Sequence, residues 1–177
     1  MSKLFLITLV TFSFFIGACD QRSASQIYSD AETLISQDKF SQALKDLQKI
    51  EKKYSENELA PKGIYRMAEI YMNELKDLNS AIETYVRVAD MYRESPYGPK
   101  SRFMAGFLLA NNTSRFDEAR NQYKLFLVDY PDNELVSAVD FEMENLGKEI
   151  GDIPQLKDLI EPDSEAEAKV EAKGADK

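Results

Sequence analysis

The side chains that most often perform enzyme chemistry are scarce in this sequence. It has no histidine and one cysteine, which excludes a histidine acid or base, an internal disulfide and the usual ligand set of zinc. Carboxylates do occur close together, as Glu56 with Glu58 and Asp117 with Glu118, and such pairs serve glycoside hydrolysis or metal binding. Both pairs fall where helices are expected to begin, and acidic residues there favour the helix macrodipole. We therefore predict no catalytic residue, no metal site and no cofactor.

The charge balance argues against nucleic acid as a partner. The formal net charge is −9, from 22 basic and 31 acidic residues. Binding to a phosphate backbone depends on clustered Lys and Arg side chains, whereas the basic residues here are spread singly along the chain. With 44% hydrophobic residues, the 177-residue chain can bury the core of one ordinary domain.

The single cysteine, Cys19, follows a segment typical of a secretory leader. Lys3 precedes an apolar stretch over residues 4–16. As a helix this stretch would span roughly 20 Å, which is short of the roughly 30 Å hydrocarbon core of a bilayer. It predicts a signal peptide over residues 1–18 and not a membrane-spanning helix.

The residues Ile16-Gly17-Ala18-Cys19 resemble the lipobox of bacterial lipoproteins, in which the signal is cut before the cysteine and the thiol is lipidated. The resemblance implies a lipid anchor on Cys19, in the bacterial cell envelope and facing the periplasm. An ordinary signal peptide with an incidental cysteine is the alternative. Asp20 resembles an inner-membrane retention residue of enterobacterial lipoproteins, a rule that does not hold in all bacteria, so inner or outer membrane stays open. Residues 19–25 are expected to form a lipidated tether.

One register of 38 residues runs through most of the chain. Tyr54, Tyr92 and Tyr130 are equally spaced, since 92 − 54 and 130 − 92 are both 38. Apolar residues keep the same interval in three further columns: Ala43, Ala81 and Ala119; Ile50, Val88 and Phe126; and Phe40, Leu78 and Phe116. Asn57, Ser95 and Asn133, whose side chains favour helix N-caps, follow it too. A fixed interval of this kind indicates a repeat array.

Each interval is predicted to be a pair of helices. Ala43, Leu47 and Ile50 recur at helical spacing. The second helices are expected to start at Ser41, Asn79 and Asp117. Of these, Asn79 and Asp117 are expected to cap their helices. Helices of about 14 residues are marginal alone, so they must stack. We predict an all-α solenoid of about three helix pairs over residues 26–150, ending in a capping helix.

Smaller features complete this prediction. Gly106, inside a helix, is expected to let another backbone approach closely. On the terminal helix Phe141 is expected to face inward and Glu142 outward. Residues 151–162 are expected to form a short extension, and residues 163–177 an acidic tail that is disordered or a transient helix.

The columns resemble the tetratricopeptide repeat in three places: Ala68 with Tyr71 in a first helix, Ala81 opening a second helix, and Tyr130-Pro131 closing one. The resemblance covers roughly residues 24–148. The period of 38 exceeds the family standard of about 34, and Asp30 occupies the small-residue column. The longer period is similar to repeats of bacterial envelope lipoproteins and periplasmic proteins, of the barrel-assembly and Tol-Pal-associated types.

The resemblance implies that the first helices line a concave face where a partner binds. The side chains expected on that face are Tyr28, Arg66, Ile70, Asn73, Met104, Leu108 and Asn111. The asparagines can hydrogen-bond a peptide backbone, and the apolar members can take an apolar side chain. In a second interpretation Ile70 and Leu108 pack between units, and the asparagines merely end their helices.

The resulting hypothesis is a lipid-anchored envelope adaptor without chemistry of its own. Its concave face would bind other envelope proteins, in outer-membrane or envelope assembly, and it would bind no nucleic acid. One alternative is an envelope enzyme or ligand receptor acting on cell-wall polymer, which requires a deep pocket with converging carboxylates. Another is a structural lipoprotein that associates with itself.

Overall fold

The computed structural model describes residues 20–154 and residue 156. The predicted signal peptide, Cys19 and the predicted acidic tail lie outside this part of the chain. The regular structure within it is entirely helical. The helices are α1 (Ala24–Ser36), α2 (Phe40–Lys53), α3 (Leu59–Glu69), α4 (Leu78–Met91), α5 (Tyr97–Phe107), α6 (Phe116–Asp129) and α7 (Val136–Glu144), followed by a short 3₁₀ turn (Ile150–Asp152). The predicted all-α array of three helix pairs and a capping helix is confirmed.

The helices pack as three successive units. The pairs are α1 with α2, α3 with α4, and α5 with α6, and α7 packs on α6. The first helices also contact one another, α1 with α3 and α3 with α5, so they form one continuous row. Among the described helices, none is both long and apolar enough to cross a bilayer.

The core follows the register predicted from the sequence. Two columns are fully buried in all three units: Ala43, Ala81 and Ala119, and Ile50, Val88 and Phe126. A third such column, Leu47, Tyr85 and Tyr123, adds the largest rings of the core. Phe116, from the predicted column of Phe40 and Leu78, is 38% exposed. Each fully buried large apolar side chain contributes about 1.5–3 kcal/mol, so the second helices are held mainly by these columns.

The turn inside each unit repeats as faithfully as the core. Asp38, Lys76 and Ser114, which are one register apart, all adopt the left-handed region, with φ of 58°, 55° and 53°. The helices that follow begin at Phe40, Leu78 and Phe116. The expected caps Asn79 and Asp117 therefore lie within the first turn, and Asp77 caps α4 by accepting a hydrogen bond from the Ser80 amide at 3.1 Å. The left-handed residue reverses the chain earlier than the sequence pattern indicated.

The turns between units carry the predicted capping side chains. Asn57 and Asn133 each accept a hydrogen bond, at 3.0 Å, from the backbone amide two residues on. Ser95 does the same for the Tyr97 amide at 3.3 Å. Each side chain therefore satisfies an amide near the start of α3, α5 or α7 that has no partner within the helix, but the N-cap positions themselves are Glu58, Pro96 and Leu135, which have no side-chain cap.

The segment before α1 is packed on the domain and is not a separate tether. Ser23 caps α1 in a capping box with Gln26, so the helix begins at Ala24. Arg22 Nη2 donates to Asp46 Oδ1 on α2 at 2.9 Å, and the Tyr54 hydroxyl donates to the Arg22 carbonyl at 2.6 Å. Asp46 itself is only 8% exposed. The prediction for residues 19–25 is thus corrected for residues 20–25.

Candidate protein-binding face

The row of first helices presents one column of half-buried side chains. Tyr28 on α1, Arg66 on α3 and Met104 on α5 are one register apart, and each is partly exposed. Because α1 contacts α3 and α3 contacts α5, the three side chains lie on neighbouring helices of the row. The structure therefore brings these three predicted residues onto one face, which we call the first-helix face.

Charged groups connect α1 and α3 on this face. Arg66 Nε lies 3.0 Å from Glu32 Oε1, and Arg66 Nη1 lies 3.0 Å from Glu69 Oε2. The Lys62 ammonium lies 4.6 Å from the centroid of the Tyr28 ring, a cation–π contact. These contacts fix the Arg66 guanidinium and the Tyr28 ring in place, so the face is preorganised.

Tyr65, which precedes Arg66 on α3, packs against two further aromatic rings. The Tyr65 ring lies 5.2 Å from that of Tyr97 and 5.3 Å from that of Tyr85, measured between centroids. Burial, and then the nearby Glu32 carboxylate, raises the pKa of Tyr28, while burial and then Glu69 raises the pKa of Tyr65. A tyrosine hydroxyl is already neutral at physiological pH with its ordinary pKa of about 10, and these shifts leave it neutral. An aromatic ring with a neutral polar tip suits a protein interface.

Two predicted members of the face are buried in the core. Ile70 is 1% exposed and Leu108 is 2% exposed. Each belongs to an apolar cluster, Ile70 with unit one and Leu108 with units two and three. They offer no surface to a partner, so their assignment is corrected and packing between units describes them.

The two asparagines end their helices, in wide π-helical turns that continue α3 over Ile70–Glu74 and α5 over Leu108–Asn112. Asn73 is exposed and lines a groove of about 380 Å³ together with Met72 and Phe107. Asn111 is also exposed and donates a hydrogen bond to Glu142 Oε2 at 3.1 Å. Neither this groove nor this hydrogen bond joins Asn73 or Asn111 to Tyr28, Arg66 or Met104.

Glu142 on α7 points into the array, contrary to the prediction that it lies outside. Its Oε2 accepts hydrogen bonds from Asn111 and, at 3.3 Å, from the hydroxyl of Tyr123. Burial, and then this carboxylate, raises the pKa of Tyr123. The same region encloses a cavity of about 350 Å³, lined in part by Asn111, Phe141 and Leu146. The capping helix thereby closes the end of the row of first helices.

The acidic pairs do not assemble a reactive site. Glu56, Glu58, Asp117 and Glu118 are all exposed. A hydrogen bond from Arg115 lowers the pKa of Glu118, which is the opposite of what a general acid requires. Within residues 20–154, no group of three or more His, Cys, Asp or Glu side chains is placed to hold a metal ion.

The burial of one arginine, Arg102, was not predicted from the sequence. Arg102 is 2% exposed and lies between α4 and α6, with Nη2 at 2.6 Å from Asp90 Oδ1 and Nη1 at 3.0 Å from Gln122 Oε1. Arg102 Nη2 also lies 3.8 Å from Asp129 Oδ2, and the Asp129 side chain is only 5% exposed. The register contains the signal, because Arg102 stands where unit two has the buried Ile64.

Several residues of the first-helix face were also missed: Glu32, Lys62, Tyr65, Glu69 and Tyr97. The spacing of Lys62 and Arg66, four residues apart on one helix, is a signal that could have placed both on the same face.

Residues 63–95 match a family model described as tetratricopeptide repeat. The match begins within α3 and runs through α4 into the next turn, so it corresponds to the second unit. The chain therefore contains a tetratricopeptide repeat, and the units on either side follow the same register. No curated protein sequence matches the chain. Repeats of this type generally mediate protein–protein interactions.

Proposed function

We propose that this protein is a lipid-anchored adaptor of the bacterial envelope that holds a protein partner on its first-helix face and performs no chemistry. The proposal is based on the continuous row of first helices, along which Tyr28, Arg66 and Met104 are partly exposed. Aromatic rings, Arg and Met are the residue types enriched in protein interfaces. Envelope assembly is the setting that the sequence resemblance favours.

The anchor part of the proposal depends on Cys19 and the leader before it. Buried acyl chains contribute about 0.8 kcal/mol per CH₂, so several of them hold a protein at a membrane. A Cys19→Ser variant should be neither cleaved nor lipidated at this position. Fractionation should then show uncleaved precursor and loss of the lipid-modified form, and an unchanged lipid-modified form would overturn the anchor.

The binding part is tested by co-purification from solubilised envelopes. Tyr28→Ala combined with Met104→Ala should reduce the captured partner more than tenfold, because anchor residues of an interface cost about 2 kcal/mol or more when truncated. A matched control is Met91→Ala with Val128→Ala, which removes side chains that are 56% and 76% exposed on second helices. Equal capture by both double variants, with unfolding curves like the parent, would contradict the proposed face.

A further inference from the structure

We propose that the outer face of α2 rests on anionic lipid headgroups, so that the first unit of the array contacts the membrane. The observation is a stripe of four lysines on that helix: Lys45, Lys49, Lys52 and Lys53. The inference rests on the proposed function in one respect, since the lipid on Cys19 is what brings the domain to a membrane.

The four lysines share one side of the helix. Residues at spacings of four, seven and eight fall within about 100° around a helix axis. The buried column residues Ala43, Leu47 and Ile50 occupy the opposite side of α2. Lys45, Lys52 and Lys53 are exposed, so their ammonium groups form a positive strip facing away from the core. The basic residues are therefore not spread singly, as the sequence had suggested.

Comparison within the array shows that only the first unit carries this strip. The equivalent positions of α4 are Glu83, Arg87, Asp90 and Met91, and those of α6 are Asn121, Leu125, Val128 and Asp129. The strip occurs in a chain whose formal net charge is −9. Favourable interaction with the helix macrodipole is confined to the last turn, so it accounts for Lys52 and Lys53 but not for Lys45.

Three of the four lysine charges on α2 remain available to interact with anionic headgroups. Lys49 pairs with Asp20 at 2.9 Å and with Asp46 at 2.8 Å. Within residues 20–154, Lys45, Lys52 and Lys53 form no ion pair. Lys53 Nζ donates to the backbone carbonyl of Asp20 at 3.0 Å, which leaves its charge uncompensated.

The strip lies directly beside the start of the domain. Asp20 contacts both Lys49 and Lys53 on α2. Consecutive Cα atoms are about 3.8 Å apart, so the chain leaves the packed domain at Asp20 and reaches Cys19 within one residue. A lipid on Cys19 would therefore hold this end of α2 at the headgroups. Each lysine near an anionic surface strengthens binding on the order of fivefold.

Lysine footprinting of the full chain tests this contact. The protein is reconstituted in vesicles of phosphatidylcholine alone or mixed with phosphatidylglycerol, acetylated with a water-soluble reagent and analysed by mass spectrometry. Lys45, Lys52 and Lys53 should react at least about fivefold more slowly on the anionic vesicles. Their reactivity should return in about 1 M salt, where the Debye length is about 3 Å. Lys100 and Lys124, which are exposed in unit three, serve as internal controls and should not change.

Matched charge variants complete the test, with the reactivity of Lys49 as the readout. In Lys45→Gln/Lys52→Gln/Lys53→Gln, acetylation of Lys49 should no longer depend on vesicle charge. In Lys100→Gln/Arg120→Gln/Lys124→Gln, which removes the same charge from exposed positions of unit three, the dependence should persist. Slowing of all lysines alike, or of none, would overturn the proposal.

The outcome is separable from that of the anchor. If Cys19→Ser abolishes lipid modification but no lysine of α2 is protected, the α2 contact fails and the anchor stands. If α2 is protected while Cys19→Ser leaves the lipid-modified form unchanged, the anchor fails and the α2 contact stands.

Discussion

At the scale of single residues, Gly106 decides how closely α5 and α6 pack. A Cβ atom there would lie 2.5 Å from Cε1 of Tyr123, whose side chain is fully buried. Close approach was predicted from the sequence, but the neighbour is a tyrosine ring and not another backbone. The ring fills the space that a Cβ would need, so glycine is required at this position.

Substitution of this glycine should destabilise the fold. Gly106→Ala should lower the free energy of unfolding by about 1–3 kcal/mol, the usual cost of overpacking a core. Gly63→Ala is the matched control, because its Cβ would lie 3.6 Å from Ile50, an ordinary contact. The control should be neutral or stabilising by up to about 1 kcal/mol through helix propensity. Urea unfolding measures both, and equal losses would show that Tyr123 does not set the packing.

Arg102 and Asp129, which lie 3.8 Å apart, should be energetically coupled even though Asp129 is also paired with Arg93 at 3.2 Å. Unit two has Ile64 and Met91 at the positions equivalent to Arg102 and Asp129, so the register suggests these two apolar residues as replacements. Arg102→Ile alone should cost about 3 kcal/mol, because Asp129 remains buried with less compensation. Arg102→Ile/Asp129→Met should cost clearly less than the sum of the two single variants. Additive losses in denaturant titrations would contradict the coupling.

At the scale of elements, the N-terminal segment is held on α2 by a charge cluster around Asp46. Burial alone would raise the pKa of Asp46, but hydrogen bonds from Arg22 and Lys49 outweigh it and lower the pKa below its usual 3.8. A carboxylate with a lowered pKa in the folded state stabilises the fold above its unfolded pKa. That contribution is lost as the pH falls through the lower folded value.

Asp46→Asn should therefore destabilise the protein in a pH-dependent way. Relative to the parent, it should lose about 1–3 kcal/mol near neutral pH. The difference should be full above about pH 4 and shrink as the pH falls further, because protonation removes the same charge from the parent. Urea unfolding at several pH values measures it, with the exposed Asp132→Asn as control. A difference that stays constant down to the lowest pH would contradict the charge cluster.

The helices and the polar side chains of the turns between units were predictable from the sequence, whereas the turns inside the units were not. The 38-residue columns located every helix pair, because Ala43, Ile50 and their equivalents are buried wherever the register repeats. The left-handed column of Asp38, Lys76 and Ser114 gave no signal, since none of the three is glycine. The π-helical turns that contain Asn73 and Asn111 also have no composition that marks them.

At the scale of the whole molecule, the candidate site was only partly predictable. Periodicity identifies which side of a helix is apolar, but it does not say which apolar residues the neighbouring unit covers. Ile70 and Leu108 were placed on the binding face for that reason, and both are buried. The burial of Arg102 and Asp46 was missed, because charged side chains are mostly exposed. Such positions depend on contacts between units that a single sequence does not show.

The order of the units gives the array a direction. Unit one carries the lysine strip on α2 and the start of the domain at Asp20, and α7 closes the opposite end. The partly exposed column of Tyr28, Arg66 and Met104 runs between these ends. On the two proposals made above, this arrangement would combine a membrane-facing end with a row of helices open to a partner.

Site-specific photo-cross-linking in intact cells tests whether a partner binds the first-helix face. A photoreactive amino acid is placed at Met104 on α5 or at Val128 on α6, which is 76% exposed. We expect the probe at Met104 to yield one discrete cross-linked species and the probe at Val128 to yield none of that species. Tyr28→Ala should weaken the product at Met104. The same species formed equally from both positions, or no cross-link from Met104, would contradict a partner held on the first-helix face.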